Sequence, residues 1–234
     1  MSTGDDQLSL AFRHRPSVAG EDYLIGTANA EAIRWLNRWP RWPAPALAIH
    51  GPPGCGKSHL VHAFIHRTGG RLVEAGALAG ADPATLAGCA PCLAVDDADM
   101  AVGLGLSQPL LHLYNSVREA GCHLILTGQQ PPARWPIPLK DLSSRLISCP
   151  AVGIGAPDDS MIAAVLVKLF ADRQLRPDET VIQFTVQRME RSFDAARRLV
   201  ARIDAQSLAS RRNITVPLVR SVLETAAPDA EGSE

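Results

Sequence analysis

The octapeptide "GPPGCGKS" at residues 51–58 follows the apolar run "ALAIH" (46–50) without a break. It fits the pattern G-x-x-x-x-G-K-[ST] at every fixed position. Gly51, Gly54 and Gly56 let the main chain turn several N–H groups toward one point, and a helix opening at Lys57 adds the positive end of its dipole. Such a nest suits a polyphosphate. A strand, this loop and a helix in that order commit the chain to an α/β fold with the loop at the carboxyl edge of a sheet. Lys57 is expected to reach the β- and γ-phosphates and Ser58 to ligate Mg²⁺. Pro53, Gly54, Cys55, Gly56 and His59 complete the expected cradle for ADP or ATP.

Further apolar runs, "RLVEA" (71–75), "CLAVDDAD" (92–99) and "CHLILTG" (122–128), alternate with helical patterns at 57–67 and 110–120. Continuous apolar strands interleaved with helices predict a parallel sheet sandwiched by helices. An earlier helix is expected from Thr27, its cap, with Ile33, Leu36 and Trp39 along one face, ending at "WPRWPAP", whose prolines cannot continue it. After "CPAVGIGAPDD" only helices are expected. Met161, Ile162, Val165, Leu166, Leu169 and Phe170 form one stripe behind Asp158 as N-cap, and a second helix takes Pro177 in its first turn. A third spans about 192–210 and a fourth about 216–225. The expected organisation is a flexible tail (1–20), an α/β nucleotide domain (21–156), a small all-α lid (157–227) and a disordered tail (228–234).

Three further features could complete a site at the loop. Asp96 and Asp97 close the run "LAVDD", where a carboxylate beside the phosphate loop can hold the metal. Asp96 is expected in that role and Asp97 at the place of a water-activating carboxylate; a glutamate would reach further, so slow hydrolysis is expected. Thr127 ends "LILT", where its hydroxyl could meet the γ-phosphate or the attacking water. Arg145 stands on a short helix, "LKDLSSRLI", and matters for chemistry only if it enters a neighbouring molecule's site as an arginine finger.

Composition excludes some classes. The formal net charge is −1, so the chain as a whole carries no field that draws it to DNA or anionic lipid. No stretch approaches the ~20 apolar residues of a membrane span, and Asp5 and Asp6 stand where a secretory signal would carry lysines. A cytoplasmic protein is expected. The five cysteines, at 55, 89, 92, 122 and 149, are odd in number and scattered, which suits thiols. "CAPC" (89–92) lacks the second pair a metal site requires. Near the start, "QLSLAF" (7–12) is too short for a signal and too isolated for a strand, yet places Leu8, Leu10 and Phe12 behind a polar linker.

These motifs in this order resemble the AAA+ ATPase module of the bacterial replication initiator DnaA over residues 21–227. "EDYLIGTANAEA" looks like the segment that packs on the adenine, which makes Tyr23, Leu24 and Ile25 base-pocket candidates. "LLHLYNSVREAGCHLILTGQQPP" looks like that family's helix and sensor I strand, and "LKDLSSRL" is similar to its box VII, with Arg145 at the finger position. "QLSLAF" resembles the hexapeptide by which bacterial proteins bind the β sliding clamp of DNA polymerase III, with Gln7, Leu8, Leu10 and Phe12 as contacts. A DnaA-like core with this hexapeptide, and with neither DnaA's long N-terminal domain nor its helix-turn-helix domain, resembles the Hda family.

The resemblance implies a bacterial, replisome-associated regulator that promotes hydrolysis of DnaA-bound ATP, meets DNA mainly through the clamp, does not enter membranes, and could self-associate head to tail. In one place the sequence departs from the family pattern. Asp194 stands where the lid's sensor II arginine is expected; Arg191 and Arg197 flank it by one turn, and either could replace the arginine, or none does. Two rivals are a helicase-loader-like or other adaptor ATPase, which would call for a basic surface, and a small-molecule P-loop kinase, which would call for an arginine-rich lid at the phosphates.

Overall fold

The structure is a computed structural model that describes residues 24–225 apart from 81, 89 and 211. The expectations for residues 7–12, Tyr23 and Cys89, and for both terminal tails, lie outside the described residues.

In chain order the elements are α1 (Ala30–Asn37), β1 (Ala46–His50), α2 (Lys57–Thr68), β2 (Arg71–Glu74), α3 (Pro83–Gly88), β3 (Cys92–Asp96), α4 (Ala98–Gly103), α5 (Ser107–Glu119), β4 (His123–Gly128), α6 (Lys140–Ile147) and β5 (Ala151–Gly153). Four helices follow: α7 (Asp159–Ala171), α8 (Glu179–Val186), α9 (Phe193–Ser210) and α10 (Val216–Thr225). The strands form one sheet in the order β2-β3-β4-β1-β5, and every pairing is parallel. β4 is central, and β1 lies between it and the edge strand β5, in register with β4 from Ala46↔Leu124 to His50↔Gly128.

The apolar runs are continuous because both faces of the sheet are covered. On β4, Ile125 packs with Phe64 and Leu60 of α2 and with Ile33 and Leu36 of α1, while Leu124 and Leu126 face Leu110 and Leu113 of α5 and Leu142 of α6. This is the period-two alternation of a strand read against two helical layers. The four C-terminal helices close a separate core around Leu166, Phe170, Val200, Ile203 and Val219. Asp158 caps α7 as expected, its Oδ1 accepting from Met161 N at 2.9 Å.

Four local expectations are corrected. The residue before α1 is Asn29, not Thr27, and its side chain does not cap the helix. Asn29 is buried; its Oδ1 accepts from Gly26 N and its Nδ2 donates to Leu24 O, both at 2.9 Å. It stitches the incoming segment instead, and Trp39 falls beyond the helix end, edge-on to Phe64. Pro177 precedes the N-cap Asp178 of α8, outside the first turn. β3 ends at Asp96, because Asp97 adopts a left-handed conformation (φ 51°).

Candidate phosphate-binding site

The loop between β1 and α2 turns where two glycines permit it. Gly54 (φ 69°) and Gly56 (φ 99°) both occupy the left-handed region. At Gly54 a Cβ would meet Ser192 Oγ at 2.8 Å and Asp194 Oδ2 at 3.3 Å, so a side chain is excluded on contact grounds as well. Lys57, buried at the start of α2, donates from Nζ to Gly51 O (2.8 Å) and Pro52 O (3.1 Å) and holds the loop in a ring. Ser58 and His59 face outward at the helix N-terminus. Cys55 is buried, which raises its thiol pKa, and the nearby Asp194 charge adds to that rise.

The sheet order brings the remaining predicted residues to the same edge. β3 and β4 are neighbours, and β4 lies beside β1, so Asp96, Thr127 and the loop share one carboxyl rim. Thr127 is fully buried; its Oγ1 donates to Asp96 Oδ1 at 2.5 Å and accepts from Asp97 N at 2.8 Å. One hydroxyl therefore fixes the backbone of Asp97 and orients Asp96, leaving the second Asp96 oxygen to other partners. Burial, then the charges of Asp96 and Asp99, push the Asp97 carboxyl above its ordinary range, partly opposed by Lys57.

Two residues that sequence reasoning passed over also stand here. Asp99, in the first turn of α4, accepts from Gln129 N at 2.7 Å and ties the end of β4 to the turn after β3. His50, the last residue of β1, is held below the usual histidine pKa by burial, with Arg134 and Lys57 adding to the effect. The available signal was position: His50 ends β1 and Asp99 follows the end of β3 by three residues, both on the rim that carries the loop.

The α9 end of the helical bundle touches this loop directly. Phe193 N donates to Gly54 O at 2.8 Å, beside Ser192 and Asp194. The two arginines weighed for the lid are engaged with acids: Arg191 pairs with Asp159 at 2.9 Å and Arg197 with Asp194. Asp194, an acid, is therefore the charged side chain that the lid sets against the loop. Leu24 and Ile25 lie in the segment before α1, with Leu24 half-buried and Ile25 exposed. Arg145 is not gathered into this site. Its Nε and one terminal nitrogen donate to the two carboxylate oxygens of Asp141 at 2.9 and 3.1 Å, and its guanidinium lies over the Tyr114 ring, 5.8 Å from the centroid.

Asp97 allows a direct test. It holds a left-handed conformation that asparagine tolerates better, and burial raises its carboxyl pKa. The stability linked to its proton is present below the unfolded-state pKa and lost as pH rises through the folded one. Asp97→Asn should therefore raise Tm at neutral pH, by about 2–4 °C if the gain is about 1 kcal/mol. Thermal unfolding without nucleotide at neutral and mildly acidic pH checks this, with the smaller gain expected in acid.

Residues 158–223 match the family model of the Hda lid domain. The fold is similar to domain III of the replication initiation protein DnaA from Thermotoga maritima, with a TM-score of 0.79 at 15% identity over 92% of this chain and 99% of that one. It is similar to AMPPCP-bound DnaA from Aquifex aeolicus, with a TM-score of 0.66 at 16% identity over 85% of this chain and 68% of that one. The ADP-bound FIGL-1 AAA domain has a TM-score of 0.66 at 13% identity, over 92% of this chain and 84% of that one. No helix among the described residues is long and apolar enough to cross a membrane. A phosphate loop on a five-stranded parallel sheet, followed by helices that match the Hda lid domain, gives this chain a fold similar to that of the DnaA domain III structure.

Proposed function

We propose that this protein regulates replication initiation: held on the β sliding clamp through residues 7–12, it docks on ATP-bound DnaA and promotes hydrolysis of that ATP. The observation that carries the reading is the Hda-type lid seated on the phosphate loop of a DnaA-like core through the Phe193–Gly54 hydrogen bond. In this reading the loop from Pro53 to His59 binds ADP or ATP, with Tyr23, Leu24 and Ile25 against the base. Lys57 neutralises the phosphates, and bound nucleotide stabilises the docking-competent form.

The donor set fits a magnesium ion. Magnesium accepts one or two protein oxygens beside substrate phosphates and water. Ser58 has an exposed hydroxyl, and Thr127 occupies only one Asp96 oxygen. No cluster of three or more His, Cys, Asp or Glu suited to a metal occurs among the described residues, so a cage built from protein alone is not the design. The ion would supply charge neutralisation at the phosphates. Within the chain, Thr127 positions Asp96, and Asp97 stands where a base would activate water. Its short side chain and raised pKa suit slow hydrolysis of the protein's own nucleotide. Arg145 serves a neighbour's site instead, as an arginine finger toward DnaA. The protein would act in the bacterial cytoplasm at the replisome, meeting DNA mainly through the clamp, and could also pair head to tail with its own copies.

Reconstitution tests this reading. Turnover of DnaA-bound ATP, measured with DNA-loaded clamp, should rise when this protein is added. Replacing Leu10 and Phe12 together by alanine should weaken capture on the clamp by at least about tenfold, because buried apolar anchors dominate such contacts. Unchanged turnover on adding the wild-type protein would remove the assignment.

A further inference from the structure

The segment "RWLNRWPRWP" (34–43) alternates arginine and tryptophan, and the nucleotide site uses none of it. In the structure the tryptophans turn inward and the arginines outward. Trp42 is buried, stacking on Phe64 with centroids 6.3 Å apart, while Trp39 meets the same ring edge-on at 5.8 Å. Arg34, Arg38 and Arg41 are exposed. The Arg38 guanidinium lies over the Trp35 ring at 5.0 Å from its centroid, and that of Arg67, in the last turn of α2, lies over Phe64 at 5.9 Å. Arg71 begins β2. α2 runs down from the phosphate loop, so its last turn, the start of β2 and the approach to β1 all lie at the amino edge of the sheet, opposite the nucleotide site.

None of Arg34, Arg38, Arg41, Arg67 and Arg71 forms an ion pair among the described residues. Burial even lowers the Arg67 pKa, with no carboxylate to offset it. The isolated reading of such residues is a solvated face, but here two of the guanidiniums are seated on aromatic rings, Arg38 on Trp35 and Arg67 on Phe64. Stacking on an aromatic face fixes a guanidinium at little entropic cost and leaves its N–H fork free for a planar or tetrahedral anion. Several such forks on one edge form a surface for a row of phosphates.

We infer that this arginine–tryptophan edge binds the sugar-phosphate backbone of duplex DNA directly and without sequence preference. The near-zero net charge of the whole chain conceals the patch, because the patch is local. DNA is favoured over an acidic protein surface because the edge offers two ring-mounted forks beside three further exposed arginines, the pattern of phosphate positioning contacts.

The test is binding of the whole protein to a short labelled duplex of arbitrary sequence, with neither clamp nor DnaA, at several salt concentrations. The wild type should bind at low salt, with affinity falling as salt rises. Replacing Arg38, Arg41 and Arg67 together by alanine should reduce the slope of log K against log[salt] by roughly 3, at about 0.9 per phosphate contact. The corresponding triple lysine variant should keep most of the slope. ADP affinity, which depends on the opposite edge, should be unchanged in both and reports an intact fold. No binding by the wild type at low salt, or an undiminished slope in the alanine variant, overturns the inference. So does a variant that binds DNA normally but loses affinity for the clamp, which would make the edge a protein contact.

Discussion

The Arg145→Ala protein should bind ADP and the clamp as the wild type does, yet stimulate turnover of DnaA-bound ATP about 10³-fold less, the lower range for arginine fingers. The size of the effect follows from where charge develops. A γ-phosphoryl group in flight spreads negative charge over its equatorial oxygens, and a fork of N–H donors supplied across an interface meets that charge only in the transition state. Arg145 already displays such a fork, since two of its nitrogens address the two oxygens of Asp141. Exchanging that carboxylate for a phosphate keeps the geometry of both bonds. The pair joins residues four apart on α6, with the Asp141 side chain 55% exposed, and exposed pairs of this kind are weak. Asp141→Asn should therefore alter turnover only a few-fold. Arg145→Lys should fail like alanine, because an ammonium cannot reproduce a two-pronged contact. Single-turnover measurement of DnaA-bound ATP separates these outcomes, and full activity in Arg145→Ala would strike the residue from the mechanism.

Lys57→Ala should lower ADP affinity by about 10²–10³-fold, the loss expected when two charge-assisted hydrogen bonds of roughly 1.5–3 kcal/mol each disappear only in part. Lys57 is 7% exposed and its ammonium is held by two carbonyl oxygens, with no carboxylate hydrogen-bonded to it among the described residues. A cation kept from water with neutral partners is a preformed receptor for anionic oxygen. The apo protein should lose no stability with the substitution, because removing an under-compensated buried charge offsets the lost hydrogen bonds. Calorimetric titration with ADP beside thermal unfolding tests both halves. A normal affinity would mean that the loop amides alone carry the phosphates.

How far the sequence could be read depended on how local the determining physics was. β1, β3 and β4 stood out because unbroken apolar runs have few other uses. α10 was legible to the residue, and Asp158 as a cap, because capping is a contact between neighbours. β5 escaped notice: three residues between Pro150 and Ile154 carry no periodicity, and only pairing with β1 makes them a strand. α3 and α4, of six residues each, are too short to show a 3.6-residue repeat. Asn29 was missed as the residue before α1 because its hydrogen bonds run backward to Leu24 and Gly26. At the site, the motif pointed to Lys57 and the strand ends to Asp96 and Thr127, while the Thr127 hydroxyl's double engagement depends on β3 and β4 being neighbours, which no spacing along the chain reveals.

The hydrogen bond from Phe193 to Gly54 makes the lid and the phosphate loop two parts of one equilibrium. Whatever ligand settles the loop also biases the helical bundle that meets it at the start of α9. The converse holds with the same factor: a partner that grips the bundle changes nucleotide affinity as much as nucleotide changes the partner's, by thermodynamic reciprocity. Nucleotide affinity could thus be set by a protein that never reaches the nucleotide, simply by holding four helices in place.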